Sequence, residues 1–193
     1  MTLLLSDDAL VAGCRSGQRA AQEQLYRRFA PAMLSLCRRY VRNAWDAEDV
    51  LARGFSQVFR GLPQFAGTGC LAGWVRRIMV REALGWLRRQ HPNMLRLDDC
   101  STGHLATDQP AADVTLQAAD LLRLVQELPA GYRAVFNLCA IEGYSHPEAA
   151  NLLGIAEGTS KSQLAKARAL LQRRLAALQA ASLSTSATVR YAA

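Results

Sequence analysis

The chain has 193 residues, half of them hydrophobic, and a formal net charge of +7. That is enough apolar material for one large core or two small ones, which excludes a disordered polyelectrolyte. It holds no uninterrupted apolar run of about 18 residues, and Asp7 and Asp8 come too early for a signal peptide, so no membrane insertion and a cytoplasmic location are expected.

Charge is unevenly distributed. From Met1 to His91 there are 14 arginines against 7 acids; from Pro92 to Gln126, 2 against 5; from Glu127 to Ala193, 7 basic residues against 4 acidic. Two basic blocks flank an acidic joint. A single arginine-rich helix is usually a solvated face, whereas two separate blocks point to a polyanion, because phosphate neutralisation is the main sequence-independent source of nucleic-acid affinity. The five cysteines, Cys14, Cys37, Cys70, Cys100 and Cys139, are odd in number and form no C-x-x-C pair. They read as reduced thiols, and no metal or other cofactor is expected.

In chain order, Ser6 followed by Asp7 and Asp8 predicts a helix start, with Leu10, Val11 and Cys14 as its apolar stripe. A second helix carries Leu25, Phe29, Met33, Leu36, Cys37 and Tyr40, with Pro31 as a kink. Asp46 is expected to cap a third, with Leu51, Phe55, Val58, Phe59 and Leu62 inward, ending before Pro63. A glycine-containing loop, 65–69, leads to a fourth helix with Leu71, Trp74, Val75, Ile78 and Leu87. No β-like alternation appears, so the class is all-α.

Periodicity stops between 92 and 113, a stretch rich in Pro, Asp, Ser, Thr and Gly. This composition predicts a flexible acidic linker between a helical domain at 1–91 and a second at 114–180, with a disordered tail at 181–193. The second domain resumes at Leu116, Leu121, Leu124 and Leu128, followed after Pro129 by one helix bearing Val135, Phe136, Leu138 and Ile141.

Gly143 to Leu175 is the most informative segment. Ser145 and Glu148 make an S-x-x-E capping box with Pro147 in the first turn, and Gly154 is placed to end that helix in a left-handed cap. After Ile155-Ala156-Glu157, a second helix turns Leu164, Ala167, Leu171 and Leu175 inward. This is a helix-turn-helix, whose second helix meets base edges and phosphates near its N-terminus. Thr159, Ser160, Lys161, Ser162, Gln163 and Lys166, with Arg168 beyond them, are the predicted DNA-facing set; Lys161 and Lys166 are the chain's two lysines.

The string LVQELPAGYRAVFNLCAIEGYSHPEAANLLGIAEGTSKSQLAKARALLQRRL resembles the promoter-upstream-reading domain of extracytoplasmic-function sigma factors. Tyr40 through DAEDVL, then F, VF, GL, F.G, W.RRI and LRRQ, is similar to that family's other conserved domain, and the likeness spans roughly Asp8 to Leu175. The resemblance implies a non-enzymatic subunit that associates with core RNA polymerase, recognises minus-35 and minus-10 promoter DNA, and is held by an anti-sigma factor. It also implies that Thr159 to Arg168 read the minus-35 element. Phe65, Thr68, Trp74, Arg76, Arg77, Arg81 and Arg88 would bind and melt the minus-10 element, which needs cationic tracking and a surface for an unstacked base. The ring of Trp74, four residues before Ile78, reads as core. Glu48, Asp49, Ala52 and Arg53 would face the polymerase clamp helices.

This sequence departs from the family pattern at several places. Ala52 and Arg53 stand for a usual Gln-Glu pair, Ala66 for Arg, Arg81 for Asn, and Ser160 and Gln163 for an apolar residue and Arg. The first of these departures implies weakened binding to polymerase. A helix-turn-helix regulator acting without polymerase is the alternative reading. No nucleophile motif, phosphate-cradling loop or metal cluster suggests an enzyme.

Overall fold

The computed structural model describes residues 6–67, 69–92 and 118–190, with side chains described through 178. The chain divides into two units, Met1–Gln90 and His91–Ala193. All regular structure among the described residues is helical.

The first unit holds α1 (Asp7–Arg15), α2 (Arg19–Tyr40), α3 (Ala44–Gly61) and α4 (Leu71–Gln90). Ser6 caps α1 by accepting from the Ala9 amide at 3.2 Å, and Asp7 binds Arg28 of α2 at 2.8 Å. The helix α2 runs through exposed Pro31 without interruption, burying Leu25, Phe29, Met33, Leu36, Cys37 and Tyr40. The cap of α3 is Asn43 rather than Asp46: its Oδ1 accepts from the Trp45 amide at 2.8 Å and the Asp46 amide at 3.3 Å. An Asn just outside the first turn reaches those orphan amides, whereas Asp46 already lies within the helix. After α3 a 3-10 turn, Leu62–Gln64, ends in the loop that precedes α4.

The core of this unit forms where α2, α3 and α4 pack on one another. At the α3–α4 contact Gly54 is buried, and a Cβ there would collide with the Sδ of Met79. Without a Cβ, glycine makes room for the Met79 side chain against the α3 backbone.

The second unit holds α5 (Ala118–Glu127), α6 (Ala130–Phe136), α7 (His146–Leu153) and α8 (Glu157–Arg190). The single helix expected around Val135 to Ile141 is not uniform. It widens into a π turn at Asn137–Ile141, where the Glu142 amide donates to the Asn137 carbonyl at 2.8 Å. Such turns insert one residue and re-aim the chain beyond it, and Ile141, at the end of this turn, is exposed. Arg133, 3% exposed, ties α6 back to the preceding turn by donating from Nη1 to the carbonyls of Gln126 at 2.7 Å and Leu128 at 3.3 Å. Glu127 of α5 pairs with Arg174 of α8 at 3.2 Å.

The helix α8 continues to Arg190, through 181–190 where disorder was expected. An extension of an existing helix gains one hydrogen bond per residue fixed and needs no new nucleus. The rest of that tail, 191–193, the linker residues 93–113, and residues 114–117 of the expected second domain, Leu116 among them, lie outside the described residues.

Candidate nucleic-acid and partner interfaces

In the second unit, both halves of the predicted capping box form. The Ser145 hydroxyl accepts from the Glu148 amide at 3.4 Å, and the Ser145 amide donates to Glu148 Oε2 at 2.8 Å. Hydrogen bonds from the Ser145 hydroxyl and amide hold the Glu148 carboxyl below the usual carboxylate range. Gly154 ends α7 at φ +70°, and a three-residue turn leads into α8.

The predicted DNA-facing residues of α8 do not share one face. Lys161, Ser162 and Arg168 are exposed, and Thr159 and Lys166 are half-buried at the margins. Ser160 is fully buried and Gln163 is 4% exposed, so the expectation that they lie on the polar face is corrected. Helical register explains this: positions 160, 163, 164 and 167 return to one side and pack against α6 and α7, so these two polar residues fill slots an apolar side chain would take. Sequence reading missed Ala165, which lies on the exposed side between Lys161 and Arg168.

Ser160 is bonded within the unit instead. Its Oγ lies 2.9 Å from His146 Nδ1, which is also 3.8 Å from Cys139 Sγ. The π turn, the start of α7 and the start of α8 meet at this cluster. Burial pushes the Cys139 thiol up, while the hydrogen bond to Ser160 and the charge of Arg168 pull it down. On the exposed side, Lys161 Nζ pairs with Glu157 at 2.7 Å, and that ammonium holds the Glu157 carboxyl low.

In the first unit, Arg77, Arg81 and Arg88 are exposed, and their spacing of four and then seven residues brings them to one side of α4. Arg76 is also exposed but leaves α4 on a different side. Trp74 is half-buried, its ring 5.1 Å from that of Phe65, so both aromatics pack on each other at the mouth of the loop. Residues 66, 67, 69 and 70 are exposed between buried Phe65 and buried Leu71; Thr68 lies outside the described residues. Gly67 and Gly69 have φ of +71° and +95°, conformations that favour glycine.

On α3, Glu48, Asp49, Ala52 and Arg53 are all exposed. Arg53 pairs with Asp49 at 2.9 Å, one turn apart. Trp45, 81% exposed, stands on the same side as Asp49, Ala52 and exposed Ser56, by steps of four, three and four. The sequence reading overlooked Trp45; its place outside the apolar stripe of α3 was the available signal.

The comparisons with known proteins agree with this architecture. The profile described as Sigma-70 region 2 matches residues 25–92, and that described as Sigma-70, region 4 matches 118–171. The ECF RNA polymerase sigma factor SigM of Mycobacterium tuberculosis H37Rv is 36% identical over 175 residues, covering 88% of this chain and 85% of its own. The solved structure of CnrH in complex with the cytosolic domain of CnrY aligns with a TM-score of 0.52 at 26% identity, covering 89% of this chain and 97% of its own. The sigma factor RpoE of Bartonella quintana, solved with the anti-sigma factor NepR, shares the fold at a TM-score of 0.52 and 24% identity, covering 78% of this chain and 94% of its own. Two helical units carrying these two regions in this order, with a relative this similar along most of both chains, place the protein in the extracytoplasmic-function RNA polymerase sigma factor family.

Proposed function

We propose that the chain is a non-catalytic initiation subunit, acting in the cytoplasm, that docks on core RNA polymerase through the outward face of α3 and brings it to promoters. The exposed side of α8, with Lys161, Ser162 and Arg168, meets the minus-35 duplex. The 65–70 loop and the Arg77, Arg81 and Arg88 side of α4 take the melted minus-10 strand. An anti-sigma protein, like the one bound by the RpoE of similar fold, holds the chain inactive.

The observation that carries this reading is that each unit, one matching region 2 and the other region 4, presents an exposed helix side bearing cationic side chains. Its test is reconstitution with core polymerase on a duplex promoter and on the same promoter with a pre-melted bubble. The double change Arg77→Ala with Arg81→Ala should cut open-complex formation on duplex while sparing the bubble template. Equal loss on both would assign these arginines to folding or to general phosphate binding.

A further inference from the structure

The loop proposed to receive minus-10 DNA is fastened by a residue far away in sequence. Arg15, the last residue of α1, donates from Nε to the Leu62 carbonyl at 3.1 Å and from Nη2 to the Phe65 carbonyl. These contacts span 47 and 50 residues and reach both sides of the 3-10 turn between α3 and the loop. The planar guanidinium holds two acceptors at a fixed separation, which a lysine ammonium does not. Its own helix is well placed to act as a post, since α1 is tied to α2 through Asp7 and Arg28 and buries Leu10, Val11 and Cys14.

The far end of the loop is fixed differently, by fully buried Leu71 at the start of α4. Between the two ends, the glycines at 67 and 69 leave the backbone without side-chain constraint. Phe65 is held by its ring against Trp74 and by its carbonyl, and the position of the exposed residues after it depends on how firmly that carbonyl is held. The Phe65 amide donates to the Leu62 carbonyl at 3.2 Å, so a single side chain grips a turn that is already closed on itself.

We infer that Arg15 is a positioning residue for promoter opening: it sets the register of the 65–70 loop against the unstacked minus-10 base, and so sharpens the choice of base there. This rests on the reading of that loop as the minus-10 surface. Arg15 itself touches no DNA; it acts through Leu62 and Phe65. Leu62 and Phe65 are buried, but the hydrogen bonds to Arg15 are only part-buried, so water can enter where the guanidinium is removed, and loss of Arg15 loosens the loop without unfolding the unit.

The test uses holoenzyme reconstituted with core polymerase on promoters carrying each of the four bases at the minus-10 position, with 2-aminopurine beside it to report unstacking. Arg15→Ala should narrow the ratio of opening rates between best and worst base by about tenfold, the size expected for one or two ordinary hydrogen bonds. Core affinity and melting temperature should stay at wild-type values, and Arg15→Lys, which reaches one carbonyl at a time, should fall between. A merely structural role would lower the melting temperature and slow all four promoters alike, leaving the ratio unchanged, and that result overturns the inference. If Arg15→Ala does not fold, Arg15→Lys carries the test: a wild-type ratio overturns the inference and a narrowed one supports it. A wild-type protein that gives no base preference and no 2-aminopurine response overturns the reading of the loop, and the inference with it.

Discussion

His146 Nδ1 lies 2.9 Å from Ser160 Oγ, joining the first residue of α7 to the first turn of α8. Ser160 therefore helps set the angle at which α8 is presented. Ser160→Ala should cost about 1 kcal/mol of stability, the worth of an ordinary buried hydrogen bond. It should leave the salt dependence of promoter binding unchanged, as measured by titrations of holoenzyme at several salt concentrations. A shallower salt slope would put Ser160 at a phosphate.

Exposed Lys161 should behave in the opposite way. Lys161→Ala is expected to lower the salt slope by about one, the value for a single phosphate that is no longer neutralised. Glu157→Gln, which removes the carboxylate bound to Lys161 at 2.7 Å, should tighten duplex binding. Because Glu157 ionises more readily in the folded chain, the pair's small contribution to stability is present above the ordinary carboxylate range and is lost as pH falls through the depressed value. No gain from Glu157→Gln would mean that Lys161 leaves its partner at no cost when it meets DNA.

Gln163 places Oε1 in the interior of the second unit without a hydrogen-bond partner among the described residues. Gln163→Leu should stabilise that unit by about 1 kcal/mol, since an unsatisfied buried amide is costly. Calorimetry would register this as a rise of about 4 °C in the melting temperature of a unit this size. Promoter affinity should not change. Should it fall while stability rises, Gln163 reaches the DNA by turning outward.

On α3 the Asp49–Arg53 pair already offsets the charge that Arg53 brings to the proposed polymerase face. Trp45, almost wholly exposed beside it, is suited to be the apolar anchor of that face. Trp45→Ala should weaken core binding by about 2 kcal/mol or more, the range of an aromatic hot spot. Ala52→Gln with Arg53→Glu should tighten binding to a typical bacterial core polymerase. If neither variant changes core affinity, by calorimetry or by competition, α3 does not face the polymerase through this side.

The cysteines provide a pH test and a footprint. Desolvation pushes the Cys37 thiol up to about 12, partly countered by the charge of Arg39 and a backbone hydrogen bond. A thiol whose folded value is raised contributes stability that is full below pH 9.0 and is lost as pH climbs toward 12, so denaturant midpoints should fall across that window. Cys37→Ala should flatten the fall. Among the described cysteines, Cys70, exposed at the end of the loop, should react first with a thiol reagent and be protected in the open complex but not in the free holoenzyme. Reaction that is equally fast in both would place the loop away from DNA.

The capping box at Ser145 and Glu148 and the left-handed Gly154 were legible because caps are local, a matter of which side chain reaches which orphan amide. Helix spacing revealed the inward faces of α2, α3 and α4 for the same reason. Ser160 and Gln163 misled because polarity was read as exposure, and only packing against α6 and α7 shows that those positions turn inward. The π turn at Asn137–Ile141 has no local signature, since it depends on how α6 and α7 are held together. Arg15 and Arg133 were likewise uninformative as isolated charges: their partners are backbone carbonyls, which carry no sequence signal.

At Gly54 the missing Cβ leaves room for Sδ and Cε of Met79, so a thioether side chain from α4 lies directly against the α3 backbone. The helix proposed to grip polymerase and the helix proposed to grip the opened strand thus meet through an interlocked side chain, as a key seated in a slot. The absence of a single methyl group opens that slot.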